Sequence, residues 1–245
     1  MAELEVVISA DRPDLGEQLT TVFRPVWPEF IFHDPIDAKY LSRVEASFPQ
    51  YNLLVLDGPD IVTGGWGVPI QWNGTAADLP DGYDDALVRA VTGHEGSIPA
   101  DTLCIMAAAV RPGRRGSGLA GTALSALRDR AADAGIRRVI APVRPTLKSR
   151  YPLTPMDSFS RWARPDGLHI DPWVRSHQRL GATILGPAER SMTIVGTVAD
   201  WEQWTGMVFP ESGPYVVPDA LDLLQVDCEQ DQGIYVEPNL WMRHA

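Results

Sequence analysis

The sequence is short of cysteine, of net positive charge and of long apolar runs, and each shortage removes a class of function. Only two cysteines occur among 245 residues, Cys104 and Cys228. They lie far apart and lack a Cys-x-x-Cys partner, so neither a disulfide framework nor a cysteine-built metal site is expected. Acidic residues outnumber basic ones, 32 against 21, for a formal net charge of −11. Duplex nucleic acid needs a positive footprint that releases counterions, so no nucleic-acid partner is expected. The opening stretch, Met1 to Pro13, has neither a basic n-region nor a long apolar core. No run elsewhere approaches a membrane span, so no membrane partner is expected, and the expected compartment is the cytoplasm.

What is present supports one large folded domain. Hydrophobic residues make up 44% of the chain and are spread along it, enough for a full core. The pattern predicts an α/β chain built on a mixed sheet. Glu5 to Ala10 reads as a strand, and Asp14 caps a helix from about Leu15 to Phe23. Tyr40 to Phe48 is a second short helix with Leu41, Val44 and Phe48 on one side. Asn52 to Leu56 and Ile61 to Ile70 are strands joined at Asp57-Gly58-Pro59. Gly64-Gly65-Trp66-Gly67 inside the second marks a bulge or a close approach by another molecule. Residues 73 to 101 are polar and read as a surface insertion with a short helical stretch at Asp84 to Val91. Leu103 to Val110 is a continuous apolar run, as in a strand buried on both faces. Gly118 to Ala134 is an amphipathic helix and Arg138 to Val143 a strand. Asp171-Pro172 starts a capped helix that Gly181 closes, and Met192 to Val198 returns as a strand.

The most informative stretch is Val110-Arg111-Pro112-Gly113-Arg114-Arg115-Gly116-Ser117-Gly118-Leu119-Ala120, set between the apolar strand and a helix. Its glycines let the backbone turn tightly and approach a ligand. Helix-start N–H groups favour an anion there, and Arg114 and Arg115 add positive charge at the same place. The result is a pyrophosphate cradle. Gly116, Gly118 and Gly121 formally satisfy a dinucleotide fingerprint, but no acid follows about twenty positions on, and no Gly-Lys-Ser/Thr phosphate loop is present.

The loop resembles the acyl-CoA loop of the GNAT superfamily, Arg/Gln-x-x-Gly-x-Gly/Ala, through Arg115, Gly118 and Ala120. Val110 and Pro112 look like that family's strand exit, and the element order agrees over roughly residues 5 to 200. The resemblance implies a GNAT acyltransferase domain over residues 1–205, with 206–245 a C-terminal extension packed on it. It implies acetyl-CoA or another acyl-CoA as co-substrate, without a metal. Main-chain groups near Ala109 and Val110 would hold the pantetheine arm, and Arg114, Arg115, Gly116, Ser117, Gly118, Leu119 and Ala120 the pyrophosphate. In many members the last helix carries Tyr-x-x-x-Gly-Phe; here His177-Gln178-Arg179-Leu180-Gly181-Ala182 stands in that place. His177 is therefore the candidate catalytic acid or base, since an imidazole shuttles protons near neutral pH.

Asp171-Pro-Trp-Val-Arg-Ser-His177 is also similar to the GNAT-like domains of polyketide assembly lines, which makes an acyl carrier protein an alternative partner. The leading expectation is direct acyl transfer from acyl-CoA to an amine of a small molecule. Transfer to or from a carrier-protein thioester and non-catalytic acyl-CoA sensing are the alternatives, and a homodimer is left open. Other candidates are weaker. His33 sits in Phe30-Ile31-Phe32-His33-Asp34, where the family's acceptor site begins, and Trp66 could line the acyl channel. Lys148, Arg150, Tyr151, Arg161 and Arg164 crowd one loop that reads better as solvated than as anion-binding. His169 shows no partner in the sequence, and Trp201, Trp204 and Trp241 read as packing.

Overall fold

The computed structural model describes residues 4–244. The first three residues of the expected domain and the last of the expected extension lie outside them. The chain opens with β1 (Leu4–Ile8), α1 (Gly16–Phe23) and α2 (Pro35–Ser47), then β2 (Asn52–Asp57) and β3 (Asp60–Ile70). Next come α3 (Tyr83–Glu95), β4 (Thr102–Val110), α4 (Leu119–Asp133) and β5 (Arg138–Val143). The second half holds α5 (Met156–Ser160), α6 (Pro172–Arg179), β6 (Thr183–Gly196) and α7 (Val198–Thr205). The last strands are β7 (Gly213–Tyr215), β8 (Leu224–Asp227) and β9 (Gln232–His244).

The strands form one mixed sheet in the order β1-β2-β3-β4-β5-β9-β8-β7, with β6 paired to β9 off that path. Only β4 and β5 run parallel; every other pairing is antiparallel. The segment expected as an extension thus supplies three strands, and β9 carries pairings to β5, β6 and β8. The apolar reading of Leu103 to Val110 holds for its first half, where Leu103 and Cys104 are fully buried at the sheet centre.

The structure departs from the sequence reading at residues 73–101. Instead of a surface insertion, the segment holds α3, which buries Ala86, Leu87, Ala90 and Val91 in the main core. The helical stretch expected at Asp84 to Val91 lies inside α3, and what differs is its burial, since those four positions form one apolar face turned to the core. β6 begins at Thr183, not Met192, and two register shifts split it into three pairing stretches on β9. Asp171 does cap α6, accepting from the amides of Trp173 and Val174 at 2.8 and 3.0 Å.

α6 meets the end of β9 through two buried imidazoles, His177 Nδ1 lying 3.0 Å from His244 Nε2. Burial, then the neighbouring ring, holds the pKa of His177 down to about 3. Burial and then Arg128 hold His244 down to about 4. The unfolded chain titrates both near 6.5. Between about pH 6.5 and 4 the unfolded state therefore binds more protons than the native one, so stability falls as pH drops through that window. The expected slope is up to about 1.4 kcal/mol per pH unit for each imidazole. Denaturant melts from pH 4 to 7 should show this steepness in the native protein and lose it in a His177→Gln/His244→Gln double variant. Equal slopes in the two proteins would refute the neutral pair.

Candidate active site

A cleft of about 540 Å³ opens where β4 and β5 separate. The two strands pair only over Thr102 to Cys104 and Arg138 to Ile140. Past that point Ile105 to Ala109 line the cleft from β4, and Ala141, Pro142, Val143 and Arg144 line it from the β5 side. Gly64, Gly65, Trp66 and Gly67 of β3 line it too. A Cβ on Gly64, Gly65 or Gly67 would lie 2.8–2.9 Å from a carbonyl oxygen of a neighbouring strand, so glycine is what keeps β3 close to both neighbours. The register shifts between Trp66 and Gly67, which pair with Ala107 and Ile105. Met106 is the extra residue of that bulge, and its main chain is released from the ladder inside the cleft.

The glycine-arginine loop runs from the end of β4 into α4. Gly113, Gly116 and Gly118 all take positive φ, at 84°, 84° and 83°. A residue with a Cβ resists that conformation, while the space before each glycine is open. Among the described residues, none of the amides from Arg115 to Ala120 donates a hydrogen bond within the protein. Consecutive unpaired amides at the start of a fifteen-residue helix make an anion-binding concavity. Arg115 is exposed and has no ion pair among the described residues. Arg114 differs, because its Nη2 is held by Asp57 Oδ2 at 2.7 Å and its carbonyl accepts from Ser117 Oγ at 2.6 Å. Ala109 lines the cleft, and its carbonyl accepts from Thr63 Oγ1 at 2.8 Å.

His177 and Trp173 reach the cleft from α6. The His177 ring stands edge-on to Trp173 with centroids 4.5 Å apart, is 1% exposed, and leaves Nε2 without a partner. With a pKa near 3 it is neutral at physiological pH and cannot hold a second proton there. The expectation of a proton shuttle near neutrality meets this obstacle: the sequence locates the histidine but not the dry environment around it. What Nε2 offers is one hydrogen bond, as donor or acceptor according to which ring of the histidine pair donates.

Several acids line the same cleft: Asp37, Glu45 and Glu237. Asp37 accepts from Tyr83 Oη at 3.0 Å. Burial, then the charge of Asp34, pushes its carboxyl up to about 7. Asp34 caps α2, and Asp84 accepts from the amide of Thr193 at 3.1 Å. Asp34 Oδ2 and Asp84 Oδ1 are buried and lack a donor, and the two carboxyls face each other. A single proton shared between them satisfies both, and both pKa values are raised by burial. Glu237 is saturated by comparison. Arg144 Nε lies 2.9 Å from both its oxygens, and Tyr235 and Asn239 donate to it as well. Among the described residues no cluster of His, Cys, Asp or Glu is arranged to hold a metal ion.

The other sequence candidates separate cleanly. Trp66 lines the cleft and meets Tyr83 edge-on at 6.2 Å. His33 stays outside it, stacked on Trp204 with centroids 4.2 Å apart. Lys148 is fully buried and donates to the carbonyls of Tyr151 and Leu221, while Arg161 and Arg164 pair with Asp157 and Asp166 on the surface. Arg150 and Tyr151 are exposed away from the cleft. His169 has partners after all, the Phe159 carbonyl and the Asp171 amide, at 2.9 and 3.0 Å. Trp201 and Trp241 are buried packing residues with paired indole N–H groups. Burial pushes the Cys104 thiol far up, leaving it inert. Sequence reasoning missed Asp37, Tyr83, Asp84 and His244. Asp34-Pro35 carries the same cap-and-proline signal as Asp171-Pro172 and could have placed α2 with Asp37 in its first turn.

No protein-family model matches the chain. The arginine N-acetyltransferase avaD of Aspergillus versicolor is 32% identical over 270 residues, covering 96% of this chain and 92% of that protein. Among solved structures, the loading GNATL domain of CurA from Lyngbya majuscula superposes with a TM-score of 0.58 at 18% identity. It covers 99% of this chain and 96% of that one. The GphF GNAT-like decarboxylase, in complex with isobutyryl-CoA, gives a TM-score of 0.59 at 16% identity, covering 99% and 98%. At those identities the two structures speak for the fold, and the avaD relative speaks for the family. The chain belongs to the GNAT superfamily of acyltransferases, enzymes that move an acyl group from acyl-CoA to an amine.

Proposed function

We propose that this enzyme acetylates a small cationic amino acid, with arginine, the substrate named for the avaD relative, as the leading acceptor. The observation that carries this reading is the cleft itself, which presents the carboxyls of Asp37 and Glu45 beside the closed Arg144–Glu237 ion pair. A cationic acceptor matches that excess of acid. Acetyl-CoA supplies the activated acyl group when bound. The loop from Arg115 to Ala120 fits its pyrophosphate, because the unpaired amides and three left-handed glycines leave an open concave backbone. The unpaired β4 edge from Ile105 to Ala109 fits the pantetheine arm as an added strand would, and the amide freed at the Met106 bulge is placed to polarise a carbonyl. His177 acts at the same centre by hydrogen bonding through Nε2, holding the thioester side rather than storing a proton. The amine attacks directly, since the buried thiol of Cys104 is no nucleophile.

A carrier-protein thioester is the second reading for the donor, favoured by the fold likeness to the CurA loading domain. The acidic chain weighs against it, because carrier proteins are themselves usually acidic. A cytoplasmic setting belongs to the same proposal, supported by two unpaired cysteines, one of them exposed.

Two measurements test the reading. Arg115→Ala and Gly118→Glu should each weaken CoA binding by about tenfold or more in calorimetry, the first melting near the native temperature and the second lower, because a glutamate is strained at the positive φ of Gly118. Unchanged affinity in both variants removes the loop from the donor site. His177→Ala should lower kcat by about 10–100-fold with CoA affinity nearly intact, the range for a lost transition-state hydrogen bond. A folded alanine variant with full turnover would exclude His177 from the chemistry.

A further inference from the structure

We infer that Asp37, held by the hydroxyl of Tyr83 at the wall of the cleft, is the group that receives the acceptor's proton, and that the nitrogen acylated is an aliphatic amine rather than a guanidinium. The inference rests on the proposed acetylation of a cationic amino acid and identifies which nitrogen reacts and what deprotonates it.

The geometry comes first. Asp37 lines the same cleft as the β4 bulge at Met106 and as His177, whose buried Nε2 points to a ligand by having no partner in the protein. Tyr83 donates to one Asp37 oxygen at 3.0 Å. The titratable groups that face Asp37 are Asp34 at the cap of its own helix and Tyr83 and Asp84 on α3. β6 contributes only the Thr193 amide, which goes to Asp84. With Asp34 and Asp84 sharing a proton, one residual negative charge stands beside Asp37 and raises its proton affinity.

The chemistry then selects the nitrogen. An ammonium carries three protons and no lone pair. One proton passes to the Asp37 carboxylate, and the freed pair forms the C–N bond to the thioester carbonyl carbon as the C–S bond breaks. A second proton ends on the departing sulfur as a thiol, and the third stays on the amide product. Asp37 later releases its proton to solvent. A carboxylate titrating near 7 can take a proton from an amine of pKa about 8–10, but a guanidinium, which stays protonated throughout the working pH range, lies far out of its reach.

The test uses L-arginine and acetyl-CoA with the intact enzyme and with the Asp37→Asn and Asp34→Asn variants. Asp37→Asn keeps the acceptor for Tyr83 and should lower kcat/KM by about 10²–10⁴ at pH 7. The deficit should shrink as pH rises through the amine's own pKa, where a structural defect would not recover. Asp34→Asn keeps a cap for α2 but removes the neighbouring carboxylate that raises Asp37, and should move the acidic inflection of the profile downward. The product should be the α-N-acetyl compound by fragment mass spectrometry. Calorimetry of L-arginine binding near pH 7 in buffers of different ionisation enthalpy should report proton release in the native enzyme and none in Asp37→Asn. An active native enzyme with an unchanged profile in a folded Asp37→Asn, or a guanidine-acetylated product, overturns the inference. A native enzyme that neither binds nor acetylates L-arginine would instead overturn the proposed function.

Discussion

Everything at the site follows from how briefly β4 and β5 pair. Three residues on each strand hold the parallel contact, and then the sheet divides. A divided sheet exposes main-chain donors and acceptors on both new edges, which is costly unless something else pairs with them. β5 survives because β9 covers its other edge over Val139 to Val143. β4 survives because β3 stays paired along it up to Val110, at the expense of three glycines in β3. The edges that remain open line the cleft, so the binding surface is the sheet's own unpaired backbone.

Two buried clusters flank that cleft, and burial sets the charge state of both. On α6 a histidine pair is kept neutral because a proton added to either ring would be a buried charge beside a second imidazole. Between α2 and α3, three carboxyls crowd together and burial raises their proton affinity. The outcomes differ usefully. An imidazole with so low a pKa is a fixed hydrogen-bonding group, whereas a carboxyl near 7 gains and loses a proton at working pH. The strongly acidic chain also needs a local exception to admit a pyrophosphate. Arg114 spends its charge on Asp57, which leaves the amides and Arg115 as that exception.

The sequence revealed what depends on local chemistry and concealed what depends on contact. Three glycines, two arginines and a helix start within nine residues foretell a tightly turning loop, and the left-handed glycines follow them. The Asp171-Pro172 cap likewise fixed the start of α6 and so the position of His177. The charge state of His177 was out of reach, because it is set by His244, sixty-seven residues away on another element. Asp37 and Asp84 are ordinary acids in sequence, on helices with exposed polar faces. The packing of α2 against α3, fastened where Tyr83 Oη donates to Asp37 at 3.0 Å, brings them together.

The C-terminal segment explains why the acceptor side can be specific. A second apolar core joins Phe30 and Ile31, just ahead of α2, to Trp201, Phe209, Val217, Leu224 and Tyr235. Phe30 packs against both Trp201 and Tyr235, with ring centroids 5.7 and 5.2 Å apart. The turn that delivers Asp34 and Asp37 is thereby anchored by residues from α7 to β9. β9 itself also supplies Glu237 and Asn239 to the cleft and His244 to the histidine pair. One strand therefore sets the acidic wall, the arginine partner and the neutral imidazole at once. A change in its register by a single residue would turn each of its side chains to the opposite side of the sheet and displace all three. The proposed acceptor side thus depends on the end of the chain, and the proposed donor loop on its middle.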